Sequence, residues 1–396
     1  MSRMERREKI AFVCQRYGLE VNGGSELYCR EVAEHLAQIY DVTVYTTCAL
    51  DYTTWANHYQ EGEERINGVR VLRFKVDMAR GSDAFDKLSI LLTSKRRHNL
   101  AQERQWIELQ GPVCSALLDA LERNRAVYKA VLFMTYLYYP TAVSLRKGFK
   151  KSILIPTVHD EPWVYFRYFD KVFANAEAIA WNTPEERDFA CRRFPGIRRK
   201  PGVMTGIGID PPAGELPQIP ERIRGQRYLV YAGRIDAMKG CKEMFAYFQC
   251  YKRQFGGDLK LVLMGREVLE IPEDPDIISL GFVSEEMKFA VMADAFALVL
   301  FSHFESLSMV VLESMLMERP VLVTEHCEVL KGHCLRSNAG LYFKDYREFA
   351  AVLDYLLTHP DQYAVMRKNG KKYVEENYRW DVIVNRYRQL IETVGR

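Results

Sequence analysis

A chain of 396 residues exceeds what one hydrophobic core ordinarily organises, so two domains are expected. Hydrophobic residues make up 48% and charged residues 27%, the balance of a globular protein rather than a disordered or fibrous one. The net charge of +3 comes without a zinc finger, RNA-binding motif or strongly basic domain, which argues against nucleic acid as a partner, and no run of eighteen apolar residues could span a bilayer.

The chain opens MSRMERREKIAFVCQ, basic and then strand-like, with no small-residue cleavage site, so no signal peptide is expected. Strand-like and helix-like runs then alternate. KIAFVCQ is followed by a turn at Gly23-Gly24, the helical SELYCREVAEHLAQIY and the strand DVTVYTT. VRVLRF, KAVLFMTY, KSILIPTV and AIAWNT read as further strands, with helices around 86–98, 103–125 and 184–193. Short apolar, β-branched runs between amphipathic helices predict a parallel sheet covered on both faces.

GVMTGIGIDPP, with glycines 202, 206 and 208 and prolines 211 and 212, is the expected linker. The pattern then restarts: QRYLVYAGR, a helix around 239–255, DLKLVLMG, IISLGF, a helix from Ser284 to Asp294, AFALVLF, the helix bearing Glu313, RPVLVTE and AGLYF. A helical tail runs from about Tyr346 to the end. The expected division is one Rossmann-like domain at 1–207, a second at 208–380, and a terminal helix at 381–396 packing back toward the first. Doubly wound sheets bind ligands beyond the carboxyl ends of their strands, so the default site is a cleft between two facing domains.

The nine cysteines are scattered singly among apolar neighbours, as buried thiols of a reducing cytoplasm are. His326-Cys327 and His333-Cys334 match no common zinc spacing and are read as loop residues. Residues 1–205 carry 31 Lys+Arg against 25 Asp+Glu, and the remainder 24 against 27. The excess gathers at Lys95-Arg96-Arg97-His98, at Lys147, Lys150 and Lys151, and in CRRFPGIRRK (191–200). Each cluster reads first as a solvated face; together they permit contact with an anionic membrane surface or a phosphorylated acceptor.

Chemistry-bearing residues collect at predicted strand ends. Gly23 and Gly24 let a backbone approach a phosphate or sugar, although the dinucleotide pattern G-x-G-x-x-G and the Walker lysine are absent. His159 and Asp160, with Glu161 beside them, end KSILIPTVHDE and offer hydrogen bonds to sugar hydroxyls. Gly233, Arg234 and Lys239 flank the turn in YAGRIDAMKG, where two cations converge on an anion that a helix start already favours. Gly265 removes a side chain at the cleft, and Phe282-Val283 is placed to lie against a nucleobase, with Gly281 equally a turn glycine. Glu305 closes the run AFALVLFSHF, and Glu313 lies about two helical turns on, roughly 12 Å away if the spacing is helical. That is about the span from a nucleotide's ribose across a diphosphate to an attached sugar.

These elements, in this order, resemble family 4 of the retaining glycosyltransferases. They are the Gly-Gly-x-Glu turn at Gly23 to Glu26, His159, GRIDAMKG, LGFVSEEM, the Glu-x7-Glu pair, the glycine linker near 206–208 and the tail YRWDVIVNRYRQLIE. The resemblance covers essentially the whole chain, most closely 229–325, and implies the GT-B fold. It implies that Arg234 and Lys239 neutralise the diphosphate of a UDP- or GDP-linked sugar. Glu313 would take the ribose hydroxyls, Glu305 the donor sugar's hydroxyls, Gly24 the phosphate or sugar, and His159 the transferred sugar, with Ser306, Leu307 and Ser308 as further substrate-binding residues; the first domain would bind the acceptor and the second the donor. It further implies no metal or other cofactor, same-face attack within an ion pair, and a glycan or lipid-linked acceptor in bacterial surface polysaccharide assembly. The protein would be cytoplasmic, with peripheral contact at the inner face of the membrane. A non-catalytic carbohydrate-binding subunit, a nucleotide-sugar epimerase and an α-glucan phosphorylase are the alternatives, the last disfavoured because no pyridoxal-phosphate lysine site is recognisable. Two departures stand out: Ser306 replaces a small glycine turn, and HCEVLKGHCLRSN (326–338) replaces a Gly-Gly loop and is expected to cover the nucleotide, with Cys327 or Glu328 nearby.

Overall fold

The structure is a computed structural model describing residues 7–21, 23–94 and 98–395. Lys95, Arg96 and Arg97 of the basic run, and the basic residues before Arg7, lie outside the described residues. The chain divides into two compact units, Met1–Ile207 with Asp381–Arg396, and Gly208–Trp380.

The first unit contains β1 (Lys9–Val13), α1 (Gly24–Leu36), β2 (Asp41–Thr47), β3 (Gly62–Ile66), β4 (Val69–Phe74), α2 (Ser82–Ser94), α3 (Leu100–Gln110) and α4 (Ser115–Asn124). It continues with β5 (Ala130–Met134), α5 (Tyr139–Arg146), β6 (Ser152–Ile155), α6 (Tyr168–Asn175), β7 (Ala178–Trp181), α7 (Pro184–Arg193) and β8 (Gly202–Met204). The sheet order is β3-β4-β2-β1-β5-β6-β7-β8, parallel except for β3 on β4. AVLFM and SILI are buried at every residue, which is what a sheet with both faces covered requires.

The second unit contains β9 (Tyr228–Ala232), α8 (Cys241–Phe255), β10 (Lys260–Met264), β11 (Ile277–Ser279), α9 (Glu285–Asp294), β12 (Ala297–Leu300) and α10 (Met309–Leu316). It continues with β13 (Val321–Thr324), α11 (Glu328–Ser337), β14 (Gly340–Phe343), α12 (Tyr346–Thr358) and α13 (Pro360–Asn377). Its sheet, β11-β10-β9-β12-β13-β14, is parallel throughout. The last helix, α14 (Trp380–Val394), falls with the first unit from Asp381 on. There the Tyr387 hydroxyl lies 2.7 Å from that of Tyr28, which also bonds the Gly206 carbonyl, and Lys129 pairs with Glu392 at 2.6 Å.

Several local expectations are corrected. The helix expected over 103–125 is two helices. Gly111 sits at φ 65, where a side chain would crowd the Trp55 ring, and Pro112 has no N–H to continue a ladder. GEERI forms the edge strand β3, whose charged side chains face solvent and hide its strand character. The expected linker begins as the edge strand β8, in which Gly202 admits the Trp181 indole. The expected loop 326–338 is chiefly the helix α11, ending at Asn338 in the left-handed conformation.

Candidate functional site

In the second unit the ends of β9, β10 and β11 are stitched together. The Gly233 N–H donates to the Met264 carbonyl at 2.9 Å, Ile235 N–H to Arg266 at 2.9 Å, and Gly265 N–H to Gly281 at 2.8 Å. Gly265, at φ 146, would place a Cβ 1.9 Å from the Gly233 carbonyl oxygen. Glycine is therefore required here by the close approach of two strand-end loops. Gly240, at φ 72, does the same for the Phe301 carbonyl at the end of β12.

The Arg234 carbonyl accepts from the Tyr231 hydroxyl at 2.8 Å, and its Nε lies 2.7 Å from Asp236 Oδ2. Asp236 Oδ1 accepts the Met238 N–H, so one carboxylate pairs with the guanidinium and caps the 3-10 turn Ala237–Lys239. Lys239 ends that turn rather than beginning a helix; α8 starts at Cys241, after Gly240. Lys239 Nζ reaches Glu305 Oε1 at 2.8 Å, bridging the ends of the adjacent strands β9 and β12. Both side chains are partly exposed, at 33% and 17%.

Beyond Glu305 the chain turns through Ser306 and buried Leu307 into Ser308, which has φ 63 and begins α10. The Ser308 hydroxyl is buried without a hydrogen-bond partner. Glu313, one turn into α10, is buried, and its Oε2 pairs with Lys288 Nζ on α9 at 2.8 Å. Lys288 also holds Glu285 at 2.7 Å. Burial pushes the Glu313 carboxyl up and Lys288 opposes it; burial also disfavours charged Lys288, but Glu313 and Glu285 leave it raised overall. Lys288 was missed from sequence, where it reads as a lysine on an exposed helix face. Phe282 is 73% exposed beyond β11, and Val283 beside it is half-buried.

In the first unit Gly23 sits at φ 153, and a Cβ there would lie 2.3 Å from Glu26 Oε2. Glu26 is buried and accepts from Gln15 Nε2 at 2.9 Å and from Arg16 Nη2 at 2.6 Å. The glycine turn is thus shaped around a buried ion pair that the sequence did not single out. Gly24, the first residue of α1, is exposed with open space beside it.

At the ends of β5 and β6, Thr135 (φ 57) and Thr157 (φ 50) both hold left-handed conformations, with their hydroxyls 3.1 Å apart. A β-branched residue pays for that geometry in strain, which collects at functional sites. His159 Nε2 lies 3.6 Å from Glu161 Oε2, and Glu161 Oε1 accepts the buried Tyr136 hydroxyl at 2.7 Å. Asp160 is instead exposed and engaged by the Tyr165 hydroxyl at 2.7 Å. Of the two carboxylates that the sequence offers beside His159, Glu161 is the one set next to the imidazole. Behind it, buried Glu186 accepts the Val158 and Asn182 N–H groups at 2.9 and 2.6 Å. Burial pushes its carboxyl up to about 8 against those N–H groups.

Of the His and Cys residues at 326–334, His333 is fully buried and hydrogen-bonded within the protein, and Cys327 and Cys334 are buried. Among the described residues no group of three His, Cys, Asp or Glu is arranged to hold a metal ion, and no described helix is long and apolar enough to cross a membrane.

Residues 226–359 match the family described as Glycosyl transferases group 1. A 105-residue stretch is 32% identical to Glycosyltransferase 1 domain-containing protein 1 of Xenopus tropicalis, covering 26% of this chain and only 29% of that relative's length. Sucrose-phosphate synthase from Thermosynechococcus elongatus superposes with a TM-score of 0.69 at 16% identity, covering 98% of this chain and 99% of that one. A trehalose-6-phosphate structure from E. coli bound with UDP-2-fluoro glucose gives 0.71 at 12% identity, covering 98% and 99%. Anabaena HepE in complex with UDP and glucose gives 0.67 at 13% identity, covering 98% and 100%. The architecture is that of the GT-B fold, with two sheets of mainly parallel strands.

Proposed function

We propose that this protein is a retaining, metal-independent glycosyltransferase that moves a hexose-type sugar from a UDP- or GDP-linked donor to a hydroxyl of a glycan or lipid-linked acceptor. The observation that carries the reading is the set of charges on the adjacent ends of β9 and β12. Arg234, Lys239 and Glu305 meet there, with Glu313 on the following helix, inside the stretch matched by the glycosyltransferase family. Breaking a glycosyl–phosphate bond builds negative charge on the leaving diphosphate, and fixed cations stabilise that charge with little reorganisation. Arg234, paired with Asp236, offers two-point contact, and Lys239 supplies a compact charge beside it. Lys288 occupies one Glu313 oxygen, leaving the other to accept from ribose hydroxyls. Glu305 and the turn at Ser306, Leu307 and Ser308 would read the sugar and phosphate, and Phe282-Val283 the base.

In the first unit, His159 backed by Glu161, and the exposed Gly24 backbone, offer hydrogen bonds to sugar hydroxyls. A groove of about 440 Å³ is lined by Arg187, Asp188, Cys191, Arg192 and Arg198; with Arg187 paired to Asp188 at 3.0 Å, Arg192 and Arg198 are the cations that support contact with an anionic lipid surface. The pathway we favour is bacterial surface polysaccharide assembly at the cytoplasmic membrane face. The test is incubation of the purified chain with UDP-, GDP- and ADP-sugars, following donor turnover and the anomeric configuration of product. Turnover of one donor, reduced about a hundredfold or more in Arg234→Ala, is expected. No turnover of any donor, with Arg234→Ala indistinguishable from the parent, would refute the reading.

A further inference from the structure

His333 lies on α11, fully buried, with its ring packed against those of Tyr373 and Tyr378. Its Nε2 is 2.8 Å from the Leu307 carbonyl and its Nδ1 3.2 Å from the Tyr373 hydroxyl. A carbonyl can only accept, so the proton must sit on Nε2. Nδ1 then accepts from Tyr373, whose oxygen in turn accepts from Arg336 Nε at 3.2 Å. Burial and the Arg336 charge push the imidazole down to about 3, which keeps it in this neutral form.

The consequence falls on the neighbouring residue. In a planar trans peptide the C=O and N–H point in opposite directions. Holding the Leu307 carbonyl toward α11 therefore commits the Ser308 N–H to the other side. Ser308 is in the costly left-handed region and its hydroxyl is buried and unpartnered; α10 starts at the next residue, with the Val311 N–H turned back onto the Ser308 carbonyl at 3.1 Å. A buried hydroxyl without a partner next to a helix start is a donor set suited to an anionic oxygen.

We propose that His333 is a positioning residue for donor binding: through the Leu307 carbonyl it fixes the peptide plane that presents the Ser308 amide and hydroxyl to the donor's diphosphate. The inference rests on the donor reading of the Glu305–Glu313 segment. It gives α11, which stands where the family that the sequence resembles carries a Gly-Gly loop, a function carried by one side chain.

The test measures UDP and GDP binding by calorimetry, with thermal unfolding, on the full chain and on His333→Leu, His333→Gln and Tyr373→Phe. The glutamine amide nitrogen stands close to where Nε2 was and can donate to Leu307. We expect His333→Leu to weaken the better-bound nucleotide at least tenfold and His333→Gln to stay within about threefold of the parent, whatever their melting temperatures. Tyr373→Phe, which keeps the aromatic packing and removes the hydroxyl that bonds Nδ1, Arg336 Nε and the Tyr378 hydroxyl, is expected to weaken binding about threefold and serves if His333→Leu does not fold. Parent-like affinity in folded His333→Leu, or equal losses in the leucine and glutamine variants, overturns the proposal. Parent-like affinity in Tyr373→Phe does so where the leucine variant cannot be purified. If Arg234→Ala loses binding and these variants do not, only this inference fails; if the parent binds neither nucleotide, the donor reading fails with it.

Discussion

Lys239 Nζ is held 2.8 Å from Glu305 Oε1, so the cation proposed to meet a diphosphate is already neutralised by the carboxylate proposed to meet the sugar. The two roles are coupled electrostatically, because any phosphate oxygen that recruits Lys239 competes with Glu305. Neither side chain is deeply buried, so exchange of partners carries only a modest desolvation cost.

Glu305→Gln should therefore separate the two functions. Removing the carboxylate releases Lys239, and UDP or GDP should bind several-fold more tightly, with a steeper salt dependence. Turnover of the sugar donor should fall about a hundredfold, since a neutral amide no longer organises the sugar end. Lys239→Ala should lose both. Calorimetry at two ionic strengths and initial rates check this; tighter binding of neither nucleotide by Glu305→Gln would show that Lys239 does not face the phosphate.

The Lys288–Glu313 pair makes a contrasting case because both partners are largely buried, at 18% and 6% exposure. Deleting one member of such a pair strands the other charge. Lys288→Met should cost about 3 kcal/mol by chemical denaturation. Lys288→Met combined with Glu313→Gln should recover most of that loss without restoring donor binding. A loss below about 0.5 kcal/mol in the single variant would mean that Glu313 sheds its charge at little cost.

Glycines in the strand-end loops separate close packing from simple backbone freedom. Gly265→Ala would drive a methyl to 1.9 Å from the Gly233 oxygen, and neither backbone segment can yield without moving Arg234. Gly281, at φ 68, has nothing within 4 Å of an added Cβ. Gly281→Ala should cost about 1 kcal/mol, the ordinary left-handed penalty, and Gly265→Ala at least about 3 kcal/mol. Equal melting temperatures for the two variants would contradict this.

Which features the sequence revealed follows from how local their causes are. YLVYA and AVLFM read as buried parallel strands because a short run that is apolar at every position suits a strand covered on both faces and little else. Arg234, Lys239 and Glu305 stood out because strand-end loops in such sheets are few and short. Lys288 did not, since its partner lies 25 residues later on another helix, and nothing in EEMKF signals burial of a lysine. Glu161 and Asp160 are neighbours with one chemistry; their different partners, the Tyr136 hydroxyl beyond β5 for Glu161 and the Tyr165 hydroxyl for Asp160, distinguish them. β3 was hidden because an edge strand obtains its bonds from a neighbour rather than from its own hydrophobicity. The helix α11 was hidden because its core-facing His333 looks polar in sequence and becomes a core residue only through Leu307 and Tyr373.

That buried imidazole also gives the protein a defined acid sensitivity. In the unfolded chain His333 titrates near its ordinary value of about 6.5, whereas in the fold it is pushed down to about 3. Between those values the unfolded state binds a proton that the native state refuses. The stabilisation from a neutral, hydrogen-bonded His333 is therefore complete above pH 6.5 and is lost progressively as pH falls toward 3, at up to about 1.4 kcal/mol per pH unit. Many carboxylates titrate in the same window, so the informative quantity is the difference between the parent and His333→Gln, which has no proton to gain. Denaturant melts at pH 7.0, 6.0, 5.0 and 4.5 should show the parent losing about 2 kcal/mol more than the variant between pH 7.0 and 5.0. A difference that stays constant with pH would mean that the ring accepts its second proton in place, breaking the Nδ1–Tyr373 bond at no cost to the fold.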